Sequence, residues 1–261
     1  MSSVKEPQAP SASWLVRIKP CEHPRLTLIC FPFGGGAAGV FWSWRALGDD
    51  IELWAVRLPG RENRIAESFV TDAKQAVDCI VRELRPLRDR NIAFYGHSMG
   101  AGMAYQTAMV LRSLDEPLPR LFIASGRLPP HKPYLGSWGE QTDKALLDHV
   151  LSFGGIPEDL RQQDAFLSMY LPKIRADFRL NDNLFYGRAP AFAFPITIIN
   201  GVDDPLVDDE GLDEWRQHTT GAFSAFKVPG GHFCLQSHAA EFLEIVAGQL
   251  AALPGDVIPA R

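Results

Sequence analysis

The chain lacks several features that identify whole classes of protein. None of its apolar runs approaches the roughly 20 residues that a membrane-spanning helix needs, so we expect no membrane partner. Its Lys and Arg residues are scattered and its formal net charge is −5, which argues against a nucleic-acid partner. Residues 1–13 are polar and have no apolar signal-peptide core, so they predict a flexible leader.

Cysteine is scarce, with four in 261 residues, and no Cys-x-x-Cys pair is present. Cys30 and Cys79 lie in a predicted strand and a predicted helix, where a thiol usually serves as a small hydrophobic group. A reduced, cytoplasmic protein is the simplest interpretation. Cys234 lies two residues after His232, but adjacency in the sequence argues against a catalytic Cys–His pair there.

The composition supports one large domain, because 46% of the residues are hydrophobic and can bury a single substantial core. Strand and helix patterns alternate over residues 14–252, which predicts an α/β fold with a mostly parallel central sheet and helices on both faces. Residues 253–261 are expected to form a C-terminal tail. The predicted strands are residues 14–18, 25–31, 52–58, 92–95, 120–124, 196–199 and 223–228.

Capping residues and apolar periodicity place the helices between these strands. Thr71 is expected to cap a helix that stops near Pro86, and Ser237 is expected to cap the last helix. The alternation breaks over about 128–190, where helical patterns occur without a clear strand. We call this stretch the lid and expect it to cover a cleft. The alternative, that its helices only cover the sheet, stays open.

Two helical patterns stand out within the lid. Residues 142–151 read as one helix, followed by a Gly-Gly stop. Beyond it, large apolar side chains recur every four residues, and Pro172 is expected to split this run into two helices. The recurring side chains are Phe166, Tyr170, Ile174 and Phe178.

The strongest chemical signal is Gly96-His97-Ser98-Met99-Gly100, which follows an apolar run and precedes a helix-forming segment. A Gly-x-Ser-x-Gly string in this setting predicts a nucleophile elbow, a sharp strand–helix turn that presents the serine hydroxyl to a cleft. Gly96 and Gly100 lack the Cβ atoms that would collide in such a turn. Ser98 is therefore the candidate nucleophile, although a serine in an ordinary βα turn is the alternative.

A serine nucleophile needs a general base and a third group that orients the base. In the elbow architecture the acid and then the histidine follow the serine along the chain. His232 comes after the last predicted strand, and Asp204 follows the strand before it, with Asp203 as the alternative acid. Open α/β sheets bind ligands at such strand ends. His97 precedes the nucleophile and is expected to point away from it as a packing residue.

An oxyanion hole requires two backbone N–H groups aimed at the developing negative charge. Met99 is expected to supply one of them from the start of the helix after Ser98. The other is expected from the loop after residues 25–31, where Pro32 has no N–H and either Phe33 or Gly34 donates. Gly34 fits better because it allows the closest approach. This chemistry needs neither a metal nor a cofactor, and we expect none.

The same loop offers a rival interpretation. Residues 34–39 match Gly-x-Gly-x-x-Gly after a strand, the fingerprint of a dinucleotide-binding site. That fingerprint expects an acidic residue about 20 positions on, at the end of the next strand. Here the strand ends in Arg57-Leu58-Pro59-Gly60. An NAD(P)-dependent oxidoreductase is therefore only a remote alternative.

Several motifs in order give the chain a family resemblance. It resembles the type II, stand-alone editing thioesterases of nonribosomal peptide and polyketide synthases, within the α/β-hydrolase superfamily, over roughly residues 26–250. The two most specific motifs are Pro59-Gly60-Arg61-Glu62 and Arg175-Ala176-Asp177-Phe178. The others are Phe31-Pro32-Phe33-Gly34-Gly35-Gly36, Gly96-His97-Ser98-Met99-Gly100, Ser125-Gly126-Arg127, Gly201-Val202-Asp203-Asp204 and Gly231-His232-Phe233.

The resemblance implies hydrolysis of acyl thioesters on the phosphopantetheine arm of carrier proteins. It implies an acyl-enzyme on Ser98, a monomeric protein, and an acyl cavity under the lid that involves Phe33, Phe166, Tyr170 and Phe178. Phe33 departs from the family, which usually has His in its place. Because the net charge would repel acidic carriers, recognition would need a local basic patch, with Lys173, Arg175 and Arg179 as candidates. Another hydrolase of the same fold, a medium-chain acyl thioesterase or a carboxylesterase, is the alternative.

Overall fold

The computed structural model describes residues 13–132, 134, 136–156 and 158–253. In this part of the chain, seven strands form one sheet in the order β1-β3-β2-β4-β5-β6-β7. β1 is antiparallel to β3, and all other neighbouring strands are parallel. The strands are β1 (Leu15–Lys19), β2 (Leu26–Phe31), β3 (Ile51–Val56), β4 (Ile92–His97), β5 (Leu121–Ser125), β6 (Ile196–Gly201) and β7 (Phe223–Val228).

Helices connect the strands. The α-helices are α1 (Ala73–Leu84), α2 (Met99–Ser113), α3 (Asp143–Ser152), α4 (Asp164–Asp182), α5 (Asp209–Asp213), α6 (Cys234–Ser237) and α7 (Ala239–Ala251). Short 3₁₀ helices occupy Ala38–Ala46, Glu62–Arg64, Arg85–Leu87, Trp138–Glu140, Glu158–Leu160 and Glu214–His218. Among the residues described, no helix combines the length and apolar character needed to cross a bilayer.

The side chains of β2 show how the sheet is covered on both faces. Ile29 and Phe31 belong to the apolar cluster formed with α1 and α2, whereas Leu28 and Cys30 belong to the cluster formed with α7 and the 3₁₀ helix Ala38–Ala46. All four side chains are fully buried. A strand buried on both faces needs the continuous apolar run that the sequence has here, and the predicted fold class is confirmed.

The predicted strands match the observed ones to within two residues at each end, but two predicted helix caps are wrong. Asp72, not Thr71, caps α1 by accepting a hydrogen bond from the Gln75 N–H at 2.9 Å. Ser237 is the last residue of α6, and α7 begins at Ala239 without a side-chain cap. The predicted leader and tail lie outside the described residues except for Ser13 and Leu253.

The prediction that Pro172 splits the second lid helix is also wrong. α4 runs unbroken for 19 residues with Pro172 inside it. Pro172 removes one backbone hydrogen bond, but the following turns are anchored by buried Ile174, Asp177 and Phe178. Tertiary packing therefore overrides the local preference. Ile174 and Phe178 belong to an apolar cluster of the lid itself, separate from the two clusters on the sheet.

Candidate active site

Ser98 occupies a sharp turn between β4 and α2. Its backbone has φ 54° and ψ −120°, a conformation that non-glycine residues rarely adopt. A Cβ atom on Gly96 would lie 2.5 Å from the Gly100 carbonyl oxygen, and one on Gly100 would lie 2.1 Å from the Phe31 carbonyl oxygen. Only glycine fits at either position, so these two residues allow the turn that lifts Ser98 above the sheet.

Asp204 and His232 meet at the carboxyl ends of β6 and β7. Nδ1 of His232 lies 2.9 Å from Oδ2 of Asp204, and their side chains are 1% and 0% exposed. Because an ionised carboxylate only accepts hydrogen bonds, Nδ1 carries the hydrogen, and in the neutral ring Nε2 then has a free lone pair. The neighbouring Asp203 is exposed. The structure thus brings Asp204, and not Asp203, to His232.

Ser98 and His232 line the same cavity. No hydrogen bond joins the Ser98 hydroxyl to His232 among the contacts of the described residues. Hydrogen bonds between a nucleophile and its base are often long before substrate binds. The arrangement therefore provides a hydroxyl, an imidazole with a free lone pair and a buried carboxylate in the order that nucleophilic attack requires.

His97 packs beside this group. Its Nδ1 lies 2.8 Å from the Ser125 hydroxyl, and its ring centroid lies 4.9 Å from that of His232. Burial lowers the pKa of His97 well below its ordinary value, and repulsion from the protonated form of His232 acts in the same direction. His97 is therefore a neutral packing residue. Its direct contact with His232 was not predicted, because it depends on how β4 and β7 are placed in the sheet.

The loop after β2 forms a tight turn at residues 33–36. The Gly36 N–H donates to the Phe33 carbonyl at 2.9 Å, and Gly35 has φ +80°. Among the described residues, no protein group accepts a hydrogen bond from the N–H of Gly34 or of Met99. Both residues line the cavity together with Ser98. Two free backbone donors are thus available beside the hydroxyl.

Arg61 and Asp177 hold this turn, a role that sequence reasoning missed. The Gly35 N–H donates to Asp177 Oδ2 at 2.7 Å, and the Arg61 guanidinium makes two hydrogen bonds to the same carboxylate at 2.7 and 2.9 Å. Arg61 also donates to the Gly36 carbonyl at 2.8 Å. The sequence did contain a signal for this pair, because Arg61 and Asp177 each lie in one of the two motifs that are most specific for the family resemblance.

The cavity has a volume of about 330 Å³, and its walls are mainly aromatic and aliphatic. Phe33, Tyr170 and Phe178 are among the side chains that line it. Phe166 does not line it: its ring stacks on Tyr170, with 5.2 Å between centroids. Side chains four residues apart are offset by about 40° around a helix of 3.6 residues per turn. Along the unbroken α4, the run has therefore rotated by about 120° between Phe178 and Phe166.

Other aromatic side chains of the lid complete the wall. His149 lines the cavity and stacks on Trp138, with 3.7 Å between ring centroids. Its Nε2 lies 2.7 Å from the Tyr134 hydroxyl. Burial lowers the pKa of His149 to about 4, so the ring is neutral near pH 7. None of these three residues belongs to the motifs that carry the resemblance.

The expected basic patch on the lid is not a free cationic surface. Arg175 pairs with Asp143 at 2.6 Å, and Arg179 pairs with Glu140 at 2.8 Å. The Lys173 ammonium lies over the Tyr170 ring, 5.2 Å from its centroid. The two arginines instead connect α4 to the preceding lid segment.

The dinucleotide fingerprint at residues 34–39 leads into the 3₁₀ helix Ala38–Ala46. A dinucleotide site places the pyrophosphate at the N-terminus of an α-helix in this position. Moreover, the N–H of Gly35, which lies between the first two glycines of the fingerprint, already donates to the buried carboxylate of Asp177. The geometry therefore gives no support to the oxidoreductase alternative.

Comparison with known proteins finds several similar chains. GrsT, the gramicidin S biosynthesis protein of Aneurinibacillus migulanus, is 34% identical over 239 residues, which cover 91% of this chain and 93% of GrsT. The medium-chain S-acyl fatty acid synthase thioesterase of Rattus norvegicus is 35% identical over 215 residues, covering 80% of this chain and 81% of the rat enzyme.

Among solved structures, RedJ, a thioesterase from the prodiginine biosynthetic pathway in Streptomyces coelicolor, superposes with a TM-score of 0.81 at 30% identity and covers 95% of both chains. The fold it shares with this chain is that of the α/β-hydrolases. The family model of the thioesterase domain matches residues 26–250. This chain belongs to the thioesterase domain family.

Proposed function

We propose that the protein hydrolyses acyl thioesters carried on the phosphopantetheine arm of carrier proteins, and so removes acyl groups during nonribosomal peptide or polyketide synthesis. The observation that carries the proposal is the buried hydrogen bond between His232 and Asp204 at the wall of the cavity that also holds Ser98. Two similar proteins are named for biosynthetic pathways, GrsT for gramicidin S biosynthesis and RedJ for the prodiginine pathway, which supports a biosynthetic role. The described part of one chain supplies Ser98, His232 and Asp204, and we propose that the protein acts as a monomer.

In the acylation step, the Ser98 oxygen attacks the thioester carbonyl carbon while His232 Nε2 takes the hydroxyl proton. The carbonyl oxygen becomes an oxyanion and accepts hydrogen bonds from the N–H groups of Gly34 and Met99. The carbon–sulfur bond then breaks, and His232 returns the proton to the leaving thiolate. The products are an acyl ester on Ser98 and free phosphopantetheine thiol.

Deacylation repeats these steps with water. His232 takes a proton from a water molecule, whose oxygen attacks the ester carbonyl, and the same two N–H groups hold the second oxyanion. The ester bond breaks, and the proton passes from His232 to the Ser98 oxygen. Asp204 holds the imidazole in the required tautomer and stabilises its charged form throughout both steps.

The cavity favours short and medium acyl groups. Its volume of about 330 Å³ lies at the small end of the range for small-molecule sites. Phe153, Phe178 and Trp138 give it an apolar lining, which suits an alkyl chain better than a charged group. A medium-chain acyl group delivered by a fatty acid synthase is the second candidate substrate, favoured by the similarity to the rat enzyme.

A substrate panel tests the proposal. The purified protein is given acyl groups of increasing length on a phosphopantetheinylated carrier protein, the same groups on free pantetheine, and a p-nitrophenyl ester, with Ser98→Ala as the control. Faster turnover, in kcat/KM, of carrier-bound acyl groups supports the proposal. Equal turnover of carrier-bound and free substrates contradicts recognition of the carrier, and a preference for the p-nitrophenyl ester indicates a carboxylesterase.

A further inference from the structure

We propose that Asp177 and Arg61 are positioning residues that orient the oxyanion-binding turn at residues 33–36. This inference rests on the proposed function, because it assigns the pair a part in the same reaction. Asp177 also lines the cavity, but the proposed role needs no contact of either side chain with the reacting atoms. Both act through the backbone of the turn, and thereby fix where the Gly34 N–H points.

The pair holds the turn at two peptide groups. Asp177 Oδ2 accepts the Gly35 N–H at 2.7 Å, which fixes the peptide between Gly34 and Gly35. Arg61 donates to the Gly36 carbonyl at 2.8 Å, which fixes the peptide after Gly36. The same arginine is joined to Asp177 by two hydrogen bonds. One carboxylate and one guanidinium therefore determine the orientation of both peptides.

The turn needs such external support because three of its four residues are glycines. Glycine populates positive and negative φ about equally, so a Gly-Gly pair at the centre of a turn has little preference between turn types. A change of turn type rotates the central peptide and displaces the neighbouring Gly34 N–H. An oxyanion hole is effective only when its donors are held in place before the charge develops.

Burial makes the pair well suited to this task. The Asp177 and Arg61 side chains are 0% and 3% exposed, so water does not compete for their hydrogen bonds. Hydrogen bonds to a carboxylate are shorter and stronger than those between neutral groups. A buried ion pair is weak evidence for stability, because desolvation of both charges offsets their attraction. Stability alone therefore does not account for the pair.

The competing explanation is that the pair only anchors α4, which carries Asp177 and part of the cavity wall. The neighbouring ion pair between Arg175 and Asp143 offers a matched control. It also joins α4 to another segment of the chain, but neither of its side chains bonds to the turn at residues 33–36. Breaking it tests what the loss of an α4 ion pair does by itself.

The experiment compares Asp177→Asn and Arg61→Lys with Asp143→Asn. For each, kcat and KM on one acyl thioester, the rate of inactivation by a fluorophosphonate, and the melting temperature are measured. We expect Asp177→Asn to lower kcat about 100-fold, the effect of losing one oxyanion donor, with KM within about threefold. The inactivation rate should fall in parallel, since the phosphonyl oxygen occupies the same site. Asp143→Asn should change neither rate.

Two results overturn the proposal. In the first, folded Asp177→Asn has a kcat within about threefold of that of Asp143→Asn. In the second, Asp177→Asn has a higher KM and an unchanged kcat, which indicates lost substrate binding. If Asp177→Asn does not fold, Arg61→Lys decides by the same criteria, because lysine cannot reproduce the two-pronged contact. If the wild-type protein reacts with fluorophosphonate but hydrolyses no thioester, the proposed function fails while the inactivation rates still test the pair.

Discussion

The imidazole rings of His97 and His232 lie against each other, with 4.9 Å between their centroids and 48° between their planes. In the proposed reaction His232 gains and loses a proton, and a second charged imidazole at this distance would oppose that gain. Burial removes the conflict, because it lowers the pKa of His97 well below its ordinary value. His97 therefore contributes packing next to the base without contributing charge.

The first prediction concerns this neutrality. The His97→Asn variant keeps a polar group close to the Ser125 hydroxyl, which His97 Nδ1 contacts at 2.8 Å. Because His97 carries no charge in the working range, its removal should leave the acid limb of the kcat/KM profile in place. The profile is measured between pH 5 and 9 on a thioester. A clear shift of the acid limb would indicate that His97 titrates together with His232.

The second prediction separates the two adjacent carboxylates. Asp204→Asn should lower kcat about 10³- to 10⁴-fold, because an amide neither fixes the His232 tautomer nor stabilises the imidazolium. Asp203→Asn should cost less than about tenfold, since Asp203 is exposed and only Asp204 reaches His232. Steady-state kinetics of the two variants decide between them. A reversal of the two effects would assign the role to Asp203.

The third prediction concerns backbone strain at Ser98. A non-glycine residue in such a conformation costs about 1–3 kcal/mol, and Ser98 has φ 54° and ψ −120°. Glycine removes this strain but makes the unfolded chain more flexible, and that flexibility lowers the stability of the fold by about 1 kcal/mol. Ser98→Gly should therefore unfold in urea with a free energy about 1 kcal/mol above that of Ser98→Ala. Neither variant should form a fluorophosphonate adduct. If Ser98→Gly is instead about 1 kcal/mol less stable than Ser98→Ala, only the entropy cost is present and the turn is unstrained.

These variants probe features that the sequence made visible to different degrees. The sheet was predictable because buried parallel strands leave continuous apolar runs such as β2, and the elbow because Gly96 and Gly100 are required by close contacts. The cap of α1 was missed by one residue because Thr71 and Asp72 are both good capping residues. The continuity of α4 through Pro172 depends on packing between distant segments, which no local pattern records.

The contact between Arg61 and Asp177 could not be predicted for the same reason. The two residues are 116 positions apart, and each motif by itself gives no partner for its charge. Likewise the four-residue spacing in the lid suggested a common role for Phe166 and Phe178, but the spacing rotates around α4, and the position of the cavity beside the helix comes from the tertiary structure. Residue roles at strand ends were therefore easier to predict than contacts between the lid and the sheet.

The fourth prediction uses that difference along α4. Phe178 lines the cavity and is buried, whereas Phe166 lies outside it and is partly exposed. Phe178→Ala should enlarge the cavity and shift the preferred acyl chain toward greater length, and it should destabilise the fold by about 3–5 kcal/mol. Phe166→Ala should leave the chain-length ranking unchanged. Both are assayed with acyl thioesters of increasing length, and melting temperatures are recorded. An unchanged ranking in Phe178→Ala would show that this wall does not select the acyl group.

The fifth prediction concerns stability at low pH. Burial, together with charge repulsion from the nearby His131 and Arg188, lowers the pKa of His218 from 6.5 to about 4. At pH values between these two the unfolded chain binds a proton that the folded protein does not, so stability falls as pH drops from 6.5 towards 4. His149 acts in the same direction, since burial also lowers its pKa to about 4.

Each such histidine contributes at most about 1.4 kcal/mol per pH unit to this slope. His218→Gln removes one titrating group, so its free energy of unfolding should depend less steeply on pH than that of the wild type, although the lost contact with the Tyr105 hydroxyl lowers its stability at every pH. His23→Gln is the matched control, because His23 is exposed. Urea unfolding is measured at several values between pH 7 and 4.5. A slope that is the same in His218→Gln and the wild type would show that His218 is already protonated in the folded protein.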